Sequence, residues 1–458
     1  MQLKITFFLV FILGLLACEP AIECVDVAEK FTPSAQNKVI DWSKTPTFSL
    51  PFKIIYGGPK IYQNQQVPLQ HGFSHLVNSS AMDPASLPAN QLAMIWYGVA
   101  FPDGKQPWET VKSPFGNNKT VYENHWRNNL AGFADIMPIS RGQGTPKADI
   151  FVFDIERQLK SNDSILTLKQ HPSTPAATRA LVNNDFVLTY KKELQNLYNE
   201  PFNFYKKINK APNVRFGSYG DSPILNTFTN ITGNSWQAWT TNPSLLNPNN
   251  YDFDAKKLGG EFYQNQDLLM PSFYFYHDYP SPLAADYLSY MLFQIEVNKA
   301  WSSKEIVPFV WLRYSAGFSG NNKQPKFIRP FIAEASAIFP FMAGAKGLWL
   351  WEDPSQFNNN ESFASYEYFI HGLYRLSKYK EMFDGSPVFV AETNPRDLVD
   401  LRKPVWRGVV NGSSILVAAS NPYATTDTQE TKLKVKYKTW SKTLLLKGNE
   451  VYLCKFDL

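Results

Sequence analysis

Cysteine is scarce in this chain. There are three in 458 residues, Cys18, Cys24 and Cys454, which excludes a small disulfide-stapled scaffold. Charge is sparse too. Asp, Glu, Lys and Arg make up 19% of the residues, and 45 basic against 40 acidic groups leave a net charge of +5. That small excess, without a basic cluster, argues against a nucleic-acid partner. Hydrophobic residues reach 44%, so a disordered chain is excluded as well. The six histidines form no HExxH, no GxSxG elbow is present, and no glycine-rich phosphate loop follows the first strand. Neither a metal nor a cofactor is therefore expected. Beyond the first residues no uncharged apolar run is long enough to span a bilayer.

The N-terminus carries an export pattern. Lys4 precedes an apolar run over residues 5–16, which is too short for a membrane span. Residues 1–17 read as a signal peptide. The run ends Leu15-Leu16-Ala17-Cys18 and resembles the lipobox of bacterial lipoproteins, in which the cysteine is lipidated and becomes the mature N-terminus. Ordinary secretion is the alternative. Either route places the protein outside the cytoplasm, with membrane contact only through a lipid on Cys18. Cys24 and Cys454 then either pair, stapling the two ends together, or remain thiols. Polar residues 18–46 read as a tether.

Aromatic residues are plentiful: 34 Phe, 23 Tyr and 12 Trp. They fill a core or line a sugar site. Between residues 47 and 384, apolar strand-like runs (52–56, 92–99, 149–155, 214–219, 269–276, 306–314 and 347–351, with 236–239 as a weaker candidate) alternate with helical stretches. Helices are expected over 121–134, 175–210, 283–301, 328–343 and 363–382. Near-continuous apolar strands alternating with helices mean a parallel sheet covered on both faces. The fold class is α/β, and seven or eight such units predict a closed TIM-like (β/α) barrel rather than a doubly wound sheet. From 385 to 458 short strand-like runs separated by turns such as Asn411-Gly412 predict a small C-terminal antiparallel β-module.

In a β/α barrel the chemistry sits at the C-terminal ends of the strands. One strand ends Phe153-Asp154-Ile155-Glu156. Residues two apart on a strand share a face, so Asp154 and Glu156 both face the mouth. Neighbouring carboxylates resist joint ionisation, which makes one of them a general acid near neutral pH. The last strand ends Trp349-Leu350-Trp351-Glu352-Asp353, and others end in Tyr219, in Tyr274 and in Arg313-Tyr314. Tyrosine, tryptophan and carboxylate at strand end after strand end suit an oligo- or polysaccharide substrate.

With these motifs in order, residues 52–382 resemble the hyaluronidase family of glycoside hydrolases. The strand 149–156 is similar to the family's aspartate-aromatic-glutamate strand. Phe216-Gly217-Ser218-Tyr219-Gly220, Pro271-Ser272-Phe273-Tyr274 and the 344–353 segment are similar to its later strand ends. The resemblance implies that Glu156 is the general acid. It implies that Asp154 holds the substrate acetamido group for attack on the anomeric carbon, and that Tyr219, Tyr274 and Trp351 line the sugar site. The chain differs in having Ile155 where the family has an aromatic residue, in lacking the family's cysteines, and in Glu352, which adds a carboxylate at the mouth. The expectation is an exported glycosidase for N-acetylhexosamine-containing glycans, with Glu156 and Asp154 catalytic. Tyr219, Tyr274, Tyr314, Trp351, Glu352 and Asp353 would bind substrate. The alternatives are a two-carboxylate retaining glycosidase using Glu352 and a non-catalytic carbohydrate-binding surface lipoprotein.

Overall fold

The computed structural model describes residues 31–34, 38–61, 64–77, 88, 90–99, 114–115, 118–137, 140–155, 160–209, 211–225, 230–315, 326–354 and 362–458. The signal segment, Cys18, Cys24 and Glu156 lie outside the described residues.

Nine parallel strand segments form one sheet. In chain order they are β1 (Lys53–Gly57), β2 (His75–Val77), β3 (Leu92–Trp96), β4 (Ile150–Phe153), β5 (Arg215–Tyr219), β6 (Leu268–Met270), β7 and β8 (Gly347–Trp351). β7 is a single strand in two pieces, Glu305–Ile306 and Phe309–Trp311, interrupted at Pro308. A proline has no N–H to give to the ladder, yet its carbonyl still accepts from Trp349 N at 2.8 Å. The first piece pairs with β6 and the second with β8, while β8 pairs with β1. The sheet therefore closes on itself as an eight-stranded barrel. The short β2 supplies the strand that the sequence pattern leaves out. The weak candidate at 236–239 is instead part of a helix, Trp236–Thr241, capped by Ser235 Oγ accepting from Ala238 N at 3.1 Å. Its two tryptophans lie three residues apart, which is a helical spacing.

Alternation along each strand sorts the side chains. Ile55, Ile95, Ile150, Val152, Met270, Phe309 and Trp349 point inward and form one buried cluster that fills the lumen. The opposite faces, with Tyr56, Trp96, Phe151 and Phe153, pack outward against the helices in the largest cluster. The backbones of β1 and β8 approach closely at Gly347: a Cβ there would collide with the Lys53 carbonyl oxygen. The outer layer includes α1 (Lys119–Ile136), α2 (Asn183–Ile208), α3 (Tyr287–Trp301), α4 (Pro330–Met342) and α5 (Ala364–Ser377). α1 buries Tyr122, Trp126, Leu130 and Ala134 at four-residue intervals, one stripe of a 3.6-residue helix. At the bottom of the barrel Glu305 bridges Lys53 (2.8 Å) and Arg215 (3.4 Å) from the starts of β1 and β5.

The part of the expected tether that is described lies on the barrel. Ile40 and Trp42 pack against the main cluster, Phe31 stacks on His371 at 4.4 Å, and Asp41 N donates to Glu367 at 2.8 Å.

After α6 (Pro395–Leu401), which the sequence pattern does not announce, the chain completes the C-terminal module. A four-stranded antiparallel sheet is built by β9 (Val388–Val390), β10 (Val405–Asn411), β11 (Ser414–Ser420) and β14 (Tyr452–Asp457). A separate hairpin pairs β12 (Glu430–Tyr437) with β13 (Trp440–Lys447). On β12, buried Leu433 and Val435 alternate with exposed Lys432, Lys434 and Lys436. This places three ammonium groups on one face, a local basic row that the overall composition hides. The module is held to the barrel by buried Arg407 of β10, whose guanidinium grips Glu296 of α3 at 2.6 and 3.1 Å. Cys454 is disulfide-bonded, and both other cysteines of the chain lie outside the described residues. Among those residues no helix is long and apolar enough to cross a membrane.

Candidate active site

The lumen is solid, so a substrate has access only to its rim. Following the inward parity of each strand upward, Ile95 leads to Tyr97, Val152 to Asp154, Gly217 to Tyr219, Met270 through Ser272 to Tyr274, Phe309 to Trp311 and Trp349 to Trp351. Tyr97, Tyr219, Tyr274 and Trp351 pack as half-buried residues on the lumen cluster. Ile155, the next residue after Asp154, turns the other way into the outer cluster. Asp154 itself is 7% exposed.

These residues touch one another. The rings of Tyr219 and Tyr274 lie 6.2 Å apart. Tyr219 packs edge-on to Phe309 at 5.0 Å, and Tyr274 edge-on to Trp311 at 5.5 Å. Across the mouth Trp351 meets Tyr97 at 5.7 Å. The electrostatics bring in the acids. Burial pushes the Tyr274 hydroxyl well above its ordinary pKa, helped by Tyr219, to which it is hydrogen-bonded, and then by the negative charges of Asp154 and Glu352. The Tyr274 hydroxyl thus lies beside a second phenol and within electrostatic reach of two carboxylates. It stays protonated and keeps a hydrogen to donate in a setting where any developing negative charge is poorly solvated.

The other residues expected at the mouth are placed differently. Asp353 is held by Lys60, at 3.4 Å from its backbone N and 3.9 Å from its ammonium, and its charge is felt by Tyr56 and Tyr366 of the outer layer. It ties the loop after β8 to the loop after β1. Glu352 receives Tyr366 Oη on its backbone carbonyl at 3.1 Å, and the Trp351–Glu352 peptide is cis. Tyr314 belongs to the outer cluster, where its hydroxyl donates to Asp278 at 3.0 Å, and Arg329 Nε holds the same carboxylate oxygen at 2.8 Å. The structure does not bring Tyr314 to the rim. Its place is taken by Trp311, which, like Tyr97, the sequence reading passes over. Both are found by counting in twos from the lumen residues of their own strands. Glu156 lies outside the described residues.

No protein-family model matches the chain, and no curated protein matches it. Solved structures are similar in fold. Bee venom hyaluronidase is 14% identical, covering 72% of this chain and 99% of its own, with a TM-score of 0.44. An endoxylanase from Clostridium papyrosolvens is 12% identical over 90% of this chain and 98% of its own, with a TM-score of 0.33. An endo-β-1,4-mannanase of Cellulomonas fimi is 12% identical over 80% of this chain and 72% of its own, with a TM-score of 0.32. With scores this low, the reading of the site rests on its own side chains.

Proposed function

We propose that this protein is an exported glycoside hydrolase that cleaves N-acetylhexosamine-containing glycans with assistance from the substrate's acetamido group. The observation that carries the reading is the inward-facing Asp154 beside the hydrogen-bonded Tyr219–Tyr274 pair in an aromatic rim, where the charges of Asp154 and Glu352 are felt by the Tyr274 hydroxyl. Trp351, Trp311 and Tyr97 offer faces and edges to a sugar ring. Asp154 is rooted in the barrel wall and suits the task of orienting the acetamido N–H. The carbonyl oxygen of that group then attacks the anomeric carbon while the glycosidic C–O bond breaks. Glu156, two residues on, gives its proton to the departing oxygen. It then takes one from the water that opens the cyclic intermediate, so acid and base are one group and no protein nucleophile is needed. Tyr274, kept protonated, donates to oxygen that gains charge as the bond breaks. The disulfide at Cys454 supports export, because such bonds persist in oxidising compartments.

Glu156→Gln removes the acid without changing shape. It should abolish turnover of acetamido glycans while leaving the thermal midpoint within a few degrees, and an active variant with normal stability sinks the mechanism. A second reading is favoured by Glu352, whose charge reaches the same phenol as Asp154. In a retaining glycosidase it would be the nucleophile. Product sizing on a panel of acetamido and plain glycans separates the two, because only the Glu352 route hydrolyses sugars without the acetamido group. Glycan binding with no hydrolysis of any panel member would instead leave a carbohydrate-binding protein.

A further inference from the structure

A second concave surface lies where the barrel meets the C-terminal module. It is a cleft of about 590 Å3, lined from the barrel by the loop 279–282 and Arg329, and from the module side by Arg402, Tyr423, Asp427 and Asn449. The loop 279–282 follows β6 and Arg329 precedes α4, so both belong to the strand-to-helix connections, on the side of the barrel that carries the mouth. Clefts of a few hundred Å3 between two structural units are common ligand sites.

Its chemistry is specific. Arg402 lies over the Tyr423 ring at 5.0 Å, with Nη2 donating to the Pro282 carbonyl at 3.1 Å. Arg329 lies over the Tyr279 ring at 5.2 Å, with Nη2 donating to the Tyr279 carbonyl at 3.0 Å and Nε to Asp278. The rings are held in turn: Tyr423 Oη donates to Asp286 at 2.9 Å and Tyr279 Oη to the Pro422 carbonyl at 2.6 Å. Among the described residues Arg402 makes no ion pair, although its charge is felt by the Asp286 carboxyl behind Tyr423. Arg329 is already ion-paired with Asp278, so of the two guanidiniums in the lining Arg402 is the one without an ion pair among the described residues. A planar fork pre-set on an aromatic face and short of an anion is suited to a carboxylate. The volume is that of one or two sugar rings rather than of a simple ion.

We propose that this cleft is a second carbohydrate-binding site that takes an acidic sugar, with the sugar carboxylate on Arg402. The choice of a sugar rests on the glycosidase reading of the barrel mouth, and the choice of an acidic one on the Arg402 guanidinium.

The test uses the full chain, titrated calorimetrically with a glucuronosyl-β-1,4-glucose disaccharide and with cellobiose, its neutral counterpart. The acidic disaccharide should bind at least ten-fold more tightly, and its binding should weaken as salt rises. Arg402→Asn should lower its affinity about ten-fold without moving the thermal midpoint, since asparagine tolerates the left-handed backbone found at Arg402 (φ 46°). Arg402→Lys, which keeps the charge but loses the fork, should be intermediate and serves if the first variant fails to fold. Among the described residues no tryptophan lines the cleft, so filling it should leave tryptophan emission unchanged, whereas filling the mouth, with Trp311 and Trp351, should alter it. Equal affinity for the two disaccharides, no binding at all, or indifference to both arginine variants overturns the proposal. Binding accompanied by a tryptophan signal and abolished by Tyr274→Phe also overturns it, while upholding the mouth. Acidic binding that persists when no glycan is hydrolysed upholds the cleft and removes the glycosidase reading.

Discussion

Tyr274 packs against Tyr219 and Trp311, and burial, Tyr219 and the charges of Asp154 and Glu352 all oppose loss of its proton. Its value to a reaction is the hydrogen it keeps. Tyr274→Phe preserves the ring and its packing and deletes only the hydroxyl, so kcat should fall roughly ten- to hundred-fold while the melting temperature stays close to that of the parent. Steady-state kinetics beside a thermal melt checks this, and an unchanged kcat would remove Tyr274 from the chemistry. At the same scale, register decides which strand-end residues matter. Trp311 shares the inward parity of Phe309, whereas Tyr314 is three residues further on and has the opposite parity, which carries it to Asp278 and Arg329 instead. The end of a strand can be read from composition, but its facing side requires one lumen residue to be known.

Helices α4 and α5 are joined through a buried triad. Glu334, in the apolar middle of α4, faces His371 at 2.9 Å and Arg375 at 3.1 Å on α5. Burial alone would raise its pKa. The charge of Arg375 and the hydrogen bond and charge of His371 outweigh that, so the carboxyl sits below its ordinary 4.5. A depressed carboxylate contributes stability that is fully present above the unfolded value and is lost as pH falls through the folded one. Urea unfolding at stepped pH should therefore show stability dropping below about pH 4.5. Glu334→Gln should flatten that drop and cost about 3–5 kcal/mol at neutral pH, because Arg375 is left buried without its partner. In the sequence, Glu334 is the one charged residue in the apolar stretch 330–345. Nothing in the run names its partners, which lie 37 and 41 residues downstream.

Two ties act across the whole molecule. The Arg407–Glu296 grip holds the module against α3, and the disulfide at Cys454 joins the last strand of the module to a cysteine near the other end of the chain. If Cys18 carries a lipid or is removed with the signal, the partner is Cys24. Peptide mapping without reductant should then find the Cys24–Cys454 pair, and a Cys18–Cys454 pair would rule out lipid on Cys18. Cys454→Ser should lower stability by about 2–5 kcal/mol, with the loss matched by reduction of the parent protein.

Composition and periodicity by themselves determined the α/β class, the outer helices, the strand-built module and the Asp154 strand, because a lumen or a helix stripe imposes its period on the sequence it buries. The three-residue β2 escaped because it is too short to show a period. α6 escaped because its seven residues carry only two buried positions, Pro395 and Leu398. Closure of the barrel through the broken β7, the grouping of Asp154 with Glu352 around Tyr274, and the cleft between barrel and module were decided only by tertiary structure. Each depends on pairings between residues dozens to hundreds apart, and local sequence carries no record of such distances.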